Sequence, residues 1–165
     1  MLQLFPECYA DTALIQFLIN DPLDVVHIYG IPNVAKELKE ANDFNKPGRF
    51  IGVVDKDKRN PPYLLTFDTI HETNKVCFKR KNSLPHYLII IDKAIESFLL
   101  WNAAQVSINI IDYDFPDEVK ALGKVLKTSA IGSNPDYLRL LTDLHAKQAP
   151  GILTLERLLN DLITT

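Results

Sequence analysis

The chain has 165 residues, of which 47% are hydrophobic and 24% charged, and its formal net charge is -3. This size and composition are those of one folded domain with a single core, and they exclude disordered and fibrous classes. The acidic balance disfavours a sequence-blind nucleic-acid coat, which needs a strongly basic surface. No apolar run reaches the roughly 18 residues that a membrane span needs, and no signal-peptide pattern opens the chain. We therefore expect a cytoplasmic protein without membrane contact, whose two cysteines are free thiols.

The first part of the chain alternates short apolar runs with segments of helical periodicity. We predict strands at 2–6, 24–29 and 50–54, and helices at 10–19 and 34–42. The first helix has Asp11-Thr12 as its candidate cap. The run at 50–54 is apolar throughout, which is typical of a central strand covered on both faces.

The second part carries a strong strand signal at 86–92, followed directly by a helix at 93–104. Before it, residues 63–70 and 74–80 are either short strands or part of a connecting segment. After it, the pattern predicts a short strand near 107–111 and three helices. The first of these helices follows Pro116, the second starts near Pro135, and the third has Thr154 as its cap.

Strands that alternate with helices favour an α/β domain with a mostly parallel sheet and helices on both faces. We expect one domain over 1–165, with the motifs in 1–100 and a C-terminal strand and helices in 101–165. Ligands of such sheets lie outside the carboxyl ends of the strands. The acids at or just after predicted strand ends are Glu7, Asp55, Asp57 and Asp92.

Asp55 and Asp57 lie two residues apart on a loop that leaves a predicted strand. Both can turn toward one edge of the sheet, where carboxylate oxygens are suitable ligands for Mg²⁺. A single acid after a strand is more often a turn former or a helix cap. The metal hypothesis gains weight because Glu7 ends another strand and Asp11 follows four residues later.

These acids carry a resemblance to a known family. The run Glu7-Cys8-Tyr9-Ala10-Asp11 resembles the E-G-x-x-D motif of TOPRIM domains, and Asp55-Lys56-Asp57 resembles their D-x-D motif. The segment between them, which contains HIYGIPNVAKELKEA, is similar to the second strand, turn and helix of that fold. The resemblance covers about the first 100 residues, is closest to the stand-alone and OLD-nuclease-like branch, and departs from the family at Cys8, where Gly is usual.

The resemblance implies a TOPRIM-like, Rossmann-like fold and a Mg²⁺-dependent nuclease, with Mn²⁺ as an alternative cation. It makes Glu7 a metal ligand or general acid/base, and Asp55 and Asp57 metal ligands. Asp11 and Glu96 become secondary candidates for a second metal or for orienting the first; Glu96 lies in a segment similar to the family's I-E-x-x-L-L. The implied partner is DNA or RNA.

Basic residues that could contact phosphate fall into two clusters. Lys56, Lys58 and Arg59 surround the second motif, and a second cluster includes Arg80 and Lys81. Each cluster is also explained by an ordinary solvated surface. His27 is expected on the outer face of a strand, and no pair of histidines has zinc-ligand spacing.

Three alternatives stay open. The chain can be a non-catalytic TOPRIM-like module that binds nucleic acid, nucleotide or a partner ATPase, which Cys8 and the small size favour. A receiver-like phosphoacceptor domain with Asp55 as the modified residue is less favoured, because it needs an acidic pair at the end of the first strand. Cys8 as a nucleophile is a weak alternative without a nearby His. A homodimer is left open by edge strands and by the apolar C-terminal helix.

Overall fold

A central five-stranded sheet organises the protein, whose computed structural model describes residues 1–19, 24–56 and 59–164. The strands are β1 (Leu2–Pro6), β2 (Arg49–Asp55), β3 (Phe67–Thr73), β4 (Val76–Lys81) and β5 (His86–Ile91). Their order across the sheet is β1-β2-β5-β4-β3. β1, β2 and β5 run parallel, while β4 and β3 are antiparallel to their neighbours.

The sheet is therefore mixed and not purely parallel: β1, β2 and β5 form the parallel part that the sequence predicts, and β4 runs in the opposite direction. The cause is a two-residue turn between β3 and β4, where Asn74 and Lys75 both have positive φ (50° and 65°). Positive φ at both central residues is the geometry of a tight hairpin turn. The segments 63–70 and 74–80, which the sequence left open between short strands and a connecting loop, thus contain a β-hairpin that extends the sheet.

Within the described ranges, six α-helices cover the two faces of the sheet, as the sequence predicts. They are α1 (Tyr9–Leu18), α2 (Ile31–Asp43), α3 (Ile95–Gln105), α4 (Val119–Leu126), α5 (Pro135–Ala146) and α6 (Pro150–Thr164). α2 packs on one face, against side chains such as Phe50 and Val54 of β2. The other five share a core with Ile51 and Val53 on the opposite face. β2 is thus the doubly covered strand that its apolar run indicates.

Gly52 explains how closely α2 approaches β2. A Cβ atom at this position would lie 2.9 Å from Val34 Cγ1 and 3.0 Å from Leu38 Cδ1, both on α2. Because only glycine leaves that space free, the helix packs directly against the strand backbone.

Three local predictions are wrong. Residues 24–29 are not a regular strand: Val25 makes one bridge to Leu4, and the Val26 N–H donates to the Leu4 carbonyl. Residues 107–111 do not form a strand, since Ser107 has a φ of 55° and a short 3₁₀ turn begins at Ile110. α6 begins at Pro150, four residues before the predicted cap.

The start of α6 is fixed by a distant side chain. Asn102 of α3 is fully buried, and its Oδ1 accepts hydrogen bonds from the N–H groups of Gly151 (2.8 Å) and Ile152 (3.3 Å). Asn102 therefore satisfies the open N–H groups at a helix start, as a local cap would. No helix in the described parts of the chain has the length and hydropathy of a membrane span.

Candidate metal centre

Two strand ends bring Glu7 and Asp55 together. β1 and β2 are parallel neighbours, and Pro6 is in register with Val53. The Glu7 N–H donates to the Val53 carbonyl (3.0 Å), and the Asp55 N–H donates to Oε1 of Glu7 (2.6 Å). Parallel pairing thus places the two acids at the carboxyl edge of the sheet, as the sequence predicts.

The first turn of α1 adds Asp11 to this edge. Cys8 is the N-cap of the helix: its Sγ accepts from the Asp11 N–H (3.3 Å), and its thiol donates to Asp11 Oδ2 (2.9 Å). The side chain of Asp11 is completely buried. Glu7, Asp11 and Asp55 each offer a carboxylate oxygen, and these three atoms lie within 4.8 Å of one another.

The environment of these acids opposes their ionisation. Burial, followed by the negative charges of Glu7 and Glu96, raises the pKa of Asp11 to about 7, although the Cys8 hydrogen bond acts in the other direction. Burial and then the charges of Asp11, Glu7 and Glu96 raise the pKa of Asp55 to about 9. Acids this close repel each other when ionised, so protons or a cation must compensate their charge.

The donor set fits a hard divalent cation. Oδ1 of Asp11 and Oδ1 of Asp55 are buried and have no hydrogen-bond partner among the described residues. Buried polar atoms are rarely left in this condition without a role. Carboxylate oxygens from separate elements are the ligands that Mg²⁺ and Mn²⁺ accept, with water or phosphate oxygens completing the shell.

Glu96 lies beside this group and outside it. It belongs to the first turn of α3 and is half-buried, and its carboxyl group packs against Gly123 of α4. Its charge contributes to the raised pKa values of Asp11 and Asp55. The backbone of the preceding residue, Ile95, acts in the other direction and lowers the pKa of Asp55.

The predicted basic cluster around the second motif is described only in part, through Lys56 and Arg59. Lys56 is exposed and pairs with Asp92 (3.2 Å), with Glu72 farther away (3.9 Å); the Asp92 hydrogen bond is the main cause of the raised pKa of Lys56. Arg59 is also exposed. Asp57 and Lys58, which belong to the predicted motif and its basic cluster, lie outside the described residues.

Arg80 and Lys81 lie at the other end of the sheet. Arg80 pairs with Tyr87 of β5, whereas Asp55 pairs with Ile91 of the same strand. Four residues of strand correspond to about 13 Å. Lys81 donates a hydrogen bond to the Thr66 hydroxyl (2.6 Å). The structure therefore does not bring this cluster to the acids.

A cavity of about 460 Å³ opens beside the acids, and Glu7 and Asp55 form part of its wall. The remaining lining contains Cys8 of the first motif and residues that the sequence did not single out for this site: Tyr9, His27, Tyr29, Gly30, Ile31, Pro32 and Lys127. The His27 ring stacks on Tyr9, with centroids 4.2 Å apart and planes inclined by 21°. Burial lowers the pKa of His27, while a hydrogen bond with the Glu7 backbone opposes that shift.

Comparison of the chain with models of known protein families, with curated proteins and with solved structures finds no match.

Cys8 does not disturb the turn into α1. Its φ of -134° and ψ of 166° are extended backbone that any residue adopts, so this position needs no glycine. Burial, then the neighbouring Asp11, raises the pKa of the Cys8 thiol far above its usual range. The thiol consequently stays protonated at neutral pH, which disfavours Cys8 as a nucleophile. Its structural role is to cap α1 and hold Asp11.

Proposed function

We propose that the protein is a Mg²⁺-dependent phosphodiester hydrolase of the TOPRIM nuclease type, with Mn²⁺ as an alternative cation. The observation that carries the proposal is the convergence of Glu7, Asp11 and Asp55, with two buried carboxylate oxygens that have no hydrogen-bond partner among the described residues. Asp57 stays a predicted further ligand. The order of the motifs along the chain agrees with this assignment.

Glu7, Asp11 and Asp55 would hold the cation. When bound, Mg²⁺ neutralises charge on a phosphodiester and lowers the pKa of a coordinated water. The protein positions Asp55 through the Glu7 carboxylate, and positions Asp11 through Cys8. Because the pKa values of Asp11 and Asp55 are raised, cation binding must displace protons from these two side chains.

Proton release gives a direct test of the site. Titration of Mg²⁺ in buffers of different ionisation enthalpy, at about pH 7, should show a net release of protons from the wild-type protein. The release should disappear in Asp55→Asn. The matched control is Asp68→Asn, which removes an exposed carboxylate from β3. Absence of any Mg²⁺ or Mn²⁺ binding by the wild type would contradict the metal site.

Cleavage is tested separately with DNA, RNA and bis(p-nitrophenyl) phosphate, a small phosphodiester without a base. We expect Mg²⁺-dependent hydrolysis that EDTA stops and that Asp11→Asn and Asp55→Asn each reduce by at least about 100-fold, as expected when a ligand of a catalytic metal is lost. Asp68→Asn should keep wild-type activity.

A non-catalytic module is the second candidate, and the Cys8–Asp11 contact is the observation that favours it. The thiol occupies Oδ2 of Asp11, which leaves that carboxylate with fewer oxygens for a cation. This module would bind nucleic acid, nucleotide or a partner ATPase without cutting anything. Metal binding without hydrolysis of any of the three substrates would select it. A homodimer and a partner ATPase stay predictions.

A further inference from the structure

The cavity beside the acids has an aromatic wall. Tyr9 and His27 form a stacked pair that lines it, and Tyr29 stands at the same cavity with 78% of its surface exposed. An exposed tyrosine is poorly explained by packing, because its ring contributes little to the core. Planar aromatic side chains at a cavity are suited to another planar π system.

The same cavity contains a cation. Lys127, at the C-terminal end of α4, is exposed and lines the cavity together with Glu7 and Asp55. Carboxylates alone would repel a phosphate, so a bound metal and an ammonium group are the attractive charges available along this lining. Aromatic, cationic and carboxylate groups thus share one cavity, in the combination that a nucleotide requires.

The volume limits what can enter. About 460 Å³ falls within the range of sites for single small ligands. A base that is still paired and stacked in a duplex cannot enter such a cavity unless it leaves the stack. An unpaired nucleotide has no such requirement.

We infer that this cavity is a base-binding subsite, which holds one unpaired nucleotide next to the phosphodiester and selects single-stranded ends of nucleic acid as substrate. The inference rests on the proposed function for the position of the phosphate. The base stacks on the aromatic wall formed by Tyr9, His27 and Tyr29, and Lys127 attracts the phosphate. Stacking recognises a π face and not a sugar, so DNA and RNA ends are both accepted.

The first test measures binding without hydrolysis. Fluorescent single-stranded oligonucleotides with either a normal or an abasic terminal nucleotide are titrated with the protein in Ca²⁺. We expect about tenfold tighter binding of the strand with the terminal base, in both DNA and RNA, in line with one stacked base. A blunt duplex should bind about as weakly as the abasic strand. Equal affinity for all three probes would overturn the inference.

Two exposed aromatic residues make a matched pair of variants. Tyr29→Ala should remove the difference between normal and abasic strands, and it should not affect folding because its ring is exposed. Phe44→Ala removes another exposed ring, at the opposite end of α2, and should keep the full difference. A Tyr29→Ala protein that still prefers the terminal base, or a Phe44→Ala protein that loses the preference, would contradict the assignment.

The small phosphodiester separates this inference from the proposed function. If bis(p-nitrophenyl) phosphate is hydrolysed with Mg²⁺ but terminal bases give no preference, the subsite is wrong and the hydrolase stands. If terminal bases are preferred in Ca²⁺ but nothing is hydrolysed in Mg²⁺, the subsite stands and the hydrolase is wrong.

Discussion

At the scale of single residues, the carboxylates of the metal centre are a cost to the fold when no cation is bound. The pKa values of Asp11 and Asp55 are raised to about 7 and about 9. A group whose pKa is raised on folding binds more protons in the folded than in the unfolded state, between its unfolded and folded pKa values. The metal-free protein should therefore lose stability as the pH rises from about 4 to about 9.

Urea unfolding in EDTA across this range measures the effect. Asp55→Asn should increase the free energy of unfolding by about 1–3 kcal/mol near pH 8, because the wild-type Asp55 must take up a proton on folding at a pH where the unfolded carboxyl group is ionised, and asparagine need not. The same variant should lose the stabilisation that Mg²⁺ gives to the wild type. Asp68→Asn, at an exposed position, should change neither quantity. A wild-type stability that does not depend on pH would contradict the raised pKa values of Asp11 and Asp55.

Substitutions of Cys8 can separate its structural role as helix cap from any chemical role of its thiol. Cys8→Ser should keep the cap on α1, because serine is a favourable N-cap residue, and should keep Mg²⁺-dependent hydrolysis. Cys8→Ala should lower the free energy of unfolding by about 0.5–2 kcal/mol through loss of the cap. Thermal unfolding and the hydrolysis assay check both. Loss of all activity in Cys8→Ser, with the fold intact, would instead identify the thiol as essential to the chemistry.

At the scale of elements, the contact between α3 and α6 leaves little room for a larger side chain. A Cβ atom at Gly151 would lie 2.6 Å from Nδ2 of Asn102 and 2.7 Å from Phe98 Cε2, and both of these side chains are fully buried. Gly151→Ala should lower the free energy of unfolding by about 1–3 kcal/mol, despite the better helix propensity of alanine.

Gly132→Ala is the control for this prediction, because a Cβ atom there would meet nothing within 4 Å. Chemical denaturation of the two variants should separate them clearly. Equal stability of both would mean that α6 can move away from α3 at little cost.

The sequence predicted those elements that are determined by neighbouring residues. β1, β2 and β5 each contain an apolar run, and α1, α2 and α3 each have helical periodicity, so every one of these signals lies within the element itself. The start of α6 could not be predicted, since its cap is Asn102, almost fifty residues earlier. Residues 107–111 have the composition of a strand, but Ser107 adopts positive φ and Asn109 caps a turn.

In the candidate site too, some residues were predictable from the sequence and others were not. Glu7 and Asp55 were predictable because parallel strands end at one edge of a sheet, and Asp11 because it follows Glu7 by four residues at the start of the next helix. The stack of His27 on Tyr9 depends on how an irregular segment runs beside β1, which no periodicity indicates. Lys127 reaches the cavity only through the packing of α4.

At the scale of the whole molecule, Lys127 lies at one end of the sheet and the pair Arg80 and Lys81 at the other, and we expect different roles for them. Lys127 lies at the cavity with the acids, whereas Arg80 is about 13 Å from the level of Asp55 along the strands and Lys81 is one residue farther. Arg80 also stands over the Tyr87 ring and Lys81 over the Tyr63 ring, so both have contacts of their own. Of these three residues, Lys127 is therefore the one that a substrate no longer than a dinucleotide should sense.

Hydrolysis of a dinucleotide at low salt tests this separation. Lys127→Ala should raise KM about five- to tenfold, because a cation close to a phosphate in partly solvent-exposed surroundings contributes on this scale, and added salt should shrink the effect. The Arg80→Ala, Lys81→Ala double variant loses more charge but should change KM less than about twofold. With an oligonucleotide long enough to cross the sheet, the double variant should weaken binding while Lys127→Ala keeps its effect. A double variant that impairs the dinucleotide as much as Lys127→Ala would place the phosphate at the far end of the sheet, away from Glu7, Asp11 and Asp55.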